Sequence, residues 1–267
     1  MNRFHVVDAF TDQPFRGNPA AVLVLDEPYD DTWAQRVAAE FNLSETAFAR
    51  PVATADADYE LRWFTPKTEV DLCGHATLAT AHVLTETGAA GPFRFTTHSG
   101  VLTVTAHDGL LWLDFPANPP HGRQVSEELL AALGGAPVWA GFSDVGDHFV
   151  VYPDEAAVRA LTPDLAAVAR HTVRGVVTTA PAAPGGSHDF VSRFFGPAVG
   201  VPEDPVTGSA HTALAPYWAD RLGRTRLEAV QCSARGGRLV VELPADTPGR
   251  VRIGGTAVTV SEGTLRV

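Results

Sequence analysis

The chain has 267 residues, of which 45% are hydrophobic and 19% are charged, so it can bury a substantial core and is not intrinsically disordered. Lys and Arg together number 20 against 31 Asp and Glu, which gives a formal net charge of -11. This acidic balance argues against nucleic acids and anionic membranes as partners, because both favour basic surfaces.

Cysteine content and the N-terminal sequence indicate the compartment. Two cysteines, Cys73 and Cys232, are too few for a disulfide framework and favour a reducing environment. The first ten residues, MNRFHVVDAF, lack the long apolar core of a signal peptide, and no later run approaches membrane-spanning length. We therefore expect a cytoplasmic protein.

The predicted elements are mostly short strands, with three longer helices among them. Strands are predicted where runs rich in Val, Thr and Phe are bounded by Gly, Pro or Asp. Helices are predicted where apolar residues recur at helical spacing or where Ala and Leu dominate. In chain order these are strands 4–10 and 20–25, helix 32–41, strand 58–64, helix 75–87, strands 101–105, 110–115, 176–179 and 190–195, helix 209–222, and strands 238–243 and 258–260.

Four motifs recur in the same order in the second half of the chain. The repeated pairs are GNP at 17–19 with GDH at 146–148, RWFTP at 62–66 with RFFGP at 193–197, CGHA at 73–76 with TGSA at 207–210, and LDFPA at 113–117 with VELPA at 241–245. A nearly constant offset close to half the chain length predicts two similar lobes. Pro119, Pro120 and Gly122 mark the boundary, so we expect lobes at 1–118 and 119–255.

In each predicted lobe a glycine opens an apolar helix, Gly74 before His75 and Gly208 before Ser209. Helix N-termini present unpaired backbone N–H groups that attract anions, so two such termini would let an acidic protein hold a small carboxylate. Each glycine is also compatible with a simple tight turn.

Glu45 lies in the segment NLSETAF, and its counterpart at an offset of 130 is Gly175. The repeated motifs occur in both halves of the chain, whereas this carboxylate occurs only in the first. Such an unpaired polar residue is expected of a catalytic group that one half retains. Beside apolar residues its pKa should rise toward neutrality, which suits a general acid and base. A solvated glutamate, or one that caps a helix beside Ser44, fits the local sequence equally.

Two further polar residues have more than one interpretation. His75 stands in the first turn of the second predicted helix, where it either contacts substrate or lies in the core. Asp204 precedes the third predicted helix across an Asp-Pro step, and local sequence favours a helix-capping role over a role in orienting His75 or substrate.

The segments GNPAAV (17–22), NLSETAF (42–48), RWFTP followed by DLCGHATLA (71–79), and EDPVTGSAH (203–211) closely resemble the phenazine-biosynthesis PhzF-like family. The resemblance covers nearly the whole chain. It implies a diaminopimelate-epimerase-like α+β fold, in which each of two pseudo-symmetric lobes is a β-barrel-like sheet around a central helix. It also implies a return of the C-terminal strand, 256–267, to the first lobe, an active site between the lobes, and a homodimer.

By position, the resemblance makes Glu45 the acid/base carboxylate and assigns His75, Asp204 and Ser209 as the other catalytic residues. Asn18, Ser44, Gly74, Thr207 and Gly208 match positions that bind substrate. The implied reaction is a cofactor-independent proton shift on a small conjugated or cyclic carboxylate, as on dihydro-3-hydroxyanthranilate in phenazine biosynthesis. The LCGHAT segment here departs from the FAGHP of phenazine producers and resembles a mostly uncharacterised branch, so the substrate does not carry over.

Several alternatives remain open from the sequence. A racemase or epimerase on this fold needs two opposed thiols, and Cys73 has Thr207 as its counterpart; a dehydratase with one thiol needs only Cys73. A non-catalytic metabolite-binding member is a third reading. A metal site is not expected, because there is no HExxH motif and Cys73 with His75 alone is too small a ligand set.

Overall fold

The computed structural model describes residues 2–52 and 54–267, and the chain forms two compact units. Unit 1 is Met1–Asp114 with Gly254–Val267, and unit 2 is Phe115–Ile253. In chain order the elements are β1 (Asn2–Ala9), β2 (Asn18–Val24), α1 (Asp31–Phe41), β3 (Glu45–Pro51), β4 (Tyr59–Phe64), β5 (Glu69–Val70), α2 (Gly74–Glu86), β6 (Phe93–Thr97), β7 (Gly100–His107), β8 (Leu110–Pro116), β9 (His121–Gly122), α3 (Glu127–Leu133), β10 (Trp139–Phe142), β11 (Asp147–Val151), α4 (Glu155–Arg159), α5 (Leu165–His171), β12 (Gly175–Pro181), β13 (Phe190–Gly196), a short 3₁₀ helix (Pro197–Val199), β14 (Val201–Asp204), α6 (Gly208–Leu222), β15 (Arg226–Gln231), β16 (Gly237–Glu242), β17 (Arg250–Gly255) and β18 (Ala257–Leu265).

Unit 1 is a mixed sheet that surrounds α2. Strand β1 pairs antiparallel with both β2 and β18, β2 runs parallel to β3, and β3 is antiparallel to β4. Strand β4 then pairs antiparallel with β5 and parallel with β6, which leads through antiparallel pairs to β7 and β8. Helix α2 contacts β1, β2, β3 and β18 and is buried over most of its length. This burial explains why its sequence is apolar on nearly every face.

Unit 2 repeats this pairing pattern. Strand β10 is antiparallel to β11, β11 is parallel to β12, and β12 is antiparallel to β13. Strand β13 pairs antiparallel with β14 and parallel with β15, which is antiparallel to β16. Helix α6 takes the place of α2 and is likewise mostly buried. The two pseudo-symmetric lobes with central helices predicted from the repeated motifs are thereby confirmed.

The predicted elements are all present, with small shifts at their ends. The three predicted helices correspond to α1, α2 and α6, and each begins one residue earlier than predicted. Helix α1 is capped by Asp30, whose carboxylate accepts a hydrogen bond from the Trp33 backbone N–H at 3.1 Å. Strand β18 pairs with β1 from Asn2–Leu265 to Ala9–Ala257, and Gly254–Val267 belongs to unit 1.

Among the described residues, no helix has the length and apolar character needed to cross a lipid bilayer.

Candidate active site

Glu45 is the first residue of β3, where the chain turns from α1 into the sheet. Helix α1 ends at Phe41, and Asn42 takes the left-handed conformation (φ 50°) that stops the helix. Strand β3 then lies parallel to β2, with Glu45 opposite Ala20. The Glu45 side chain is 19% exposed and belongs to a strand, so it is neither a solvated surface glutamate nor a helix cap.

His75 reaches Glu45 from the first turn of α2. Its Nε2 lies 3.3 Å from Oε2 of Glu45. Its other ring nitrogen, Nδ1, lies 3.4 Å from Sγ of Cys73, which is the N-cap residue of the same helix. The imidazole therefore stands between a carboxylate and a thiol. All three side chains belong to unit 1, and His75 and Cys73 are each only 6% exposed.

Burial lowers the pKa of His75 to about 3, so the imidazole is neutral at neutral pH. Burial is the cause of this shift, although the Glu45 carboxylate lies 3.3 Å from Nε2. A neutral imidazole carries one proton, and the carboxylate favours that proton on Nε2. Nδ1 is then an acceptor that faces the thiol of Cys73. His75 is thus suited to donate a hydrogen bond toward Glu45, and it is not a permanent cation.

The other predicted residues of unit 1 lie near this pair in the chain. Asn18 is the first residue of β2 and is fully buried, and Ser44 directly precedes Glu45. Gly17 has φ 66°, and a Cβ there would lie 2.1 Å from the carbonyl oxygen of Ala9. Only glycine fits this turn, which sets the start of β2 beside β1.

In unit 2 the place of Glu45 is taken by Gly175, the first residue of β12. A Cβ on Gly175 would lie 2.5 Å from Cζ of Phe194 and 2.9 Å from the carbonyl oxygen of Phe195. No side chain fits there without displacement. Glu45 and Gly175, which align in the sequence repeat, therefore hold equivalent positions in their units. Glu45 begins β3, which runs parallel to β2, and Gly175 begins β12, which runs parallel to β11.

Arg174 is a charged residue of unit 2 that the sequence reasoning missed. Its guanidinium forms an ion pair with Asp147, the first residue of β11, and its Nη2 donates to Oγ of Ser209 at 2.7 Å. Asp147 is the positional counterpart of Asn18, and Ser209 is that of His75. The offset of 130 places Arg174 opposite Ser44, so the repeat itself was the signal that could have identified it.

The electrostatics of this pair follow from its burial. Asp147 is 1% exposed, and burial raises the pKa of its carboxyl group although Arg174 acts to lower it. The Arg174 side chain is 32% exposed. Part of its positive charge therefore remains accessible beside the N-terminus of α6, where backbone N–H groups also favour an anion.

The EDPVTGSAH segment is held by a glutamine that the sequence did not single out. Thr207 is the N-cap of α6, and its hydroxyl donates to the Asp204 carboxylate. Gln231 on β15 accepts from the Thr207 backbone N–H at 2.9 Å and donates to the Asp204 carbonyl at 2.8 Å. No local motif marks Gln231. Asp204 ends β14, and the N-cap residue of α6 is Thr207, to which Asp204 is bound through the Thr207 hydroxyl.

Each unit therefore gathers its own set of predicted residues. Unit 1 brings together Glu45 and His75, with Gly74 as the first residue of α2. Unit 2 brings together Asp204 and Thr207, while Ser209 is joined to Arg174. Gly208 is the first residue of α6, as Gly74 is of α2. Their assignment as catalytic and substrate-binding residues stays a prediction.

Three comparisons with known proteins all find that this chain is similar to the same family. A family model described as phenazine biosynthesis-like protein, PhzC-PhzF, matches residues 7–263. An uncharacterized isomerase of Pseudomonas aeruginosa is 52% identical over 263 residues, which cover 98% of this chain and 97% of that protein. A PhzF-family phenazine biosynthesis protein of Enterococcus faecalis has a crystal structure with a TM-score of 0.92 and 44% identity, covering 100% of this chain and 99% of that one.

A more distant structure extends the similarity of the fold. A probable proline racemase from Agrobacterium radiobacter has a TM-score of 0.68 at 14% identity, covering 100% of this chain and 93% of that chain. Identity this low shows the fold alone. The predicted epimerase-like α+β fold is confirmed.

Proposed function

Because this chain belongs to the PhzF-like family of isomerases, we propose that it shifts a proton on a small conjugated or cyclic carboxylate and that Glu45 carries the proton. The observation that carries the proposal is the approach of Glu45 Oε2 to His75 Nε2, at 3.3 Å, where His75 is buried and the Glu45 side chain is 19% exposed. A partly buried carboxylate of this kind can serve as both general base and general acid, which supports the proposal.

The proposed reaction has two balanced steps. Glu45 as a carboxylate removes a proton from a substrate C–H, and the electron pair of that bond spreads into the conjugated system of the substrate. Glu45, now a carboxylic acid, returns the proton to a different carbon. His75 Nε2 lies 3.3 Å from the carboxylate, and the imidazole stays neutral because burial keeps its pKa low. No electron acceptor is required.

Charge complementarity supports a carboxylate as the substrate group. The protein has a net charge of -11, yet Arg174 presents a partly exposed guanidinium beside the start of α6. Ser209 accepts a hydrogen bond from Arg174, so its own hydroxyl proton is available to another acceptor. We propose that these groups bind the substrate carboxylate, with Gly208 supplying a backbone N–H group and Thr207 lining the site. The proposal also includes the homodimer and the cytoplasmic location that the sequence suggested.

A deuterium experiment tests the role of Glu45. The purified protein is incubated in D2O with dihydro-3-hydroxyanthranilate, and separately with a mixture of cellular small carboxylic acids, and carbon-bound deuterium is followed by NMR and mass spectrometry. The wild type should place deuterium on carbon in at least one acid, whereas Glu45→Gln should lose about 10²–10⁴-fold in rate. Glu40→Gln, which alters an exposed glutamate on α1, is the matched control and should keep full activity.

The outcomes separate substrate from mechanism. Conversion of dihydro-3-hydroxyanthranilate by the wild type would establish phenazine-type chemistry. Exchange on another acid alone would assign a different substrate to the same proton carrier. Exchange that Glu45→Gln supports at the wild-type rate would refute Glu45 as the acid and base.

One contact favours a second candidate function, a racemase or dehydratase that uses Cys73. Its Sγ is 3.4 Å from a neutral imidazole, and such a neighbour can accept a thiol proton. The corresponding N-cap in unit 2 is Thr207, so a two-thiol mechanism lacks its second thiol. If Cys73 is the base, Cys73→Ser should abolish exchange at a substrate α-carbon while Glu45→Gln retains it.

A further inference from the structure

Glu45, Cys73 and His75 form a cluster with the composition and spacing of a transition-metal site. One ligand atom from each side chain lies within 4.8 Å of the other two. Within residues 2–52 and 54–267, this is the one group of three such side chains that meets that spacing. The sequence offered only Cys73 and His75 as a pair, and the fold adds the carboxylate from β3.

The separations of the ligand atoms are close to those around a tetrahedral ion, and side-chain rotation is needed to complete the set. Zn²⁺ binds thiolate sulfur, imidazole nitrogen and carboxylate oxygen at about 2.0–2.3 Å, which places tetrahedral ligand atoms about 3.3–3.8 Å apart. Sγ of Cys73 and Nδ1 of His75 are already 3.4 Å apart. Glu45 makes its 3.3 Å contact with the other ring nitrogen, Nε2, so the side chains of Glu45 and His75 must rotate for one imidazole nitrogen to share an ion with the thiolate and the carboxylate.

Ligand type selects the class of metal. A thiolate and an imidazole are soft to intermediate donors that favour Zn²⁺ and Co²⁺, whereas Mg²⁺ and Ca²⁺ require several oxygen ligands. Three protein ligands leave a fourth position for water or for a substrate oxygen, as in open zinc sites. Cys73 and His75 are each 6% exposed and Glu45 is 19% exposed, so the ion would be largely enclosed by protein.

We propose that Glu45, Cys73 and His75 bind a divalent ion of the Zn²⁺ class in unit 1. This inference rests on the proposed function: the ion would inhibit the enzyme, because its positive charge lowers the basicity of the Glu45 carboxylate and so opposes uptake of a proton. In this proposal Cys73 is a metal ligand and not a catalytic group. Its thiolate helps to bind the ion that inhibits Glu45. The thiol loses its proton to solvent on binding and no electron transfer is involved.

Cobalt spectroscopy tests the site without any substrate. The intact protein, kept reduced and anaerobic, is titrated with CoCl2 alone, and thiolate-to-Co²⁺ charge transfer is followed in the near ultraviolet together with the visible bands of tetrahedral Co²⁺. The wild type should show both at one equivalent, and ZnCl2 should displace them. Cys73→Ser should lose the charge-transfer band, and Glu45→Gln and His75→Asn should each weaken Co²⁺ binding at least tenfold.

The matched control is Cys232→Ser, which removes the other cysteine. Burial raises the pKa of the Cys232 thiol to about 11, and it lies in unit 2. This variant should bind Co²⁺ as the wild type does. Absence of the charge-transfer band in the wild type, its persistence in Cys73→Ser, or its loss in Cys232→Ser would overturn the proposal. Because the readout needs no turnover, its failure is independent of whether Glu45 moves a proton.

Discussion

Replacing Arg174 by Met should destabilise the protein through the buried carboxylate that it leaves behind. Asp147 is 1% exposed and forms its ion pair with Arg174, so removal of the guanidinium leaves an uncompensated charge in unit 2. Breaking one side of a buried pair costs about 3–5 kcal/mol. Because the Arg174 side chain is 32% exposed and water screens part of the pair, we expect the lower end, about 3 kcal/mol.

The same change should make stability depend on pH. Burial already raises the pKa of Asp147, and loss of Arg174 removes the influence that opposes this rise. The folded state then holds a proton that the unfolded state, with an aspartate pKa of about 3.9, has released. Between those two pKa values the folded state binds more protons, so the free energy of unfolding falls as pH rises. Arg174→Met should therefore lose more stability at pH 8 than at pH 5.

Urea denaturation followed by circular dichroism at both pH values measures this effect. For a unit of this size, a loss of about 3 kcal/mol corresponds to a melting temperature lower by about 6–12 °C. The double variant Asp147→Asn/Arg174→Met should recover much of the loss, because it buries no charge. Arg224→Met, which removes a more exposed partner of Asp189, should cost less than about 1 kcal/mol. An equal loss at pH 5 and pH 8, unrelieved in the double variant, would refute the reasoning.

Two further predictions concern the scaffold around the site. Gly175→Ala should lower the free energy of unfolding by about 1–3 kcal/mol, because the new Cβ would meet the Phe194 ring and the Phe195 backbone. Urea titration measures this loss. An unchanged free energy of unfolding would mean that β12 and β13 separate easily to admit the methyl group. Asp30→Ala should cost about 1 kcal/mol, because the Trp33 N–H loses its cap, with the exposed Asp56→Ala as control. A loss from Asp30→Ala no greater than that of the control would contradict the capping argument.

The sequence predicted the doubled architecture because repetition is a property that one chain displays by itself. Helices α2 and α6 were identifiable from segments that start at Gly74 and Gly208, are rich in Ala and Leu, and carry little charge until their ends. Strand β15 escaped prediction, because its parallel pairing with β13 is decided by a partner distant in the chain and not by local composition.

The candidate site shows the same division. Glu45 was identified by its lack of a counterpart, which is visible in the alignment of the two halves. The joining of Glu45 with Cys73 around His75 was not visible, because it depends on β3 meeting the first turn of α2. Gln231 was missed for a similar reason, since its partners at Asp204 and Thr207 lie more than twenty residues away along the chain.

The pairing of β18 with β1 has a consequence for synthesis on the ribosome. Residues 2–9 leave the exit tunnel long before their β18 partners, residues 257–265, are translated. Unit 2 is continuous from Phe115 to Ile253 and can complete its contacts while unit 1 still lacks an outer strand. Until β18 has been translated, the backbone groups on one side of β1 are unpaired and can pair with other nascent chains. Pairing of β18 with β1 joins residues far apart in the chain and is therefore expected to be slow. Molecular chaperones that protect β1 until this pairing forms would have the greatest effect on the yield of folded protein.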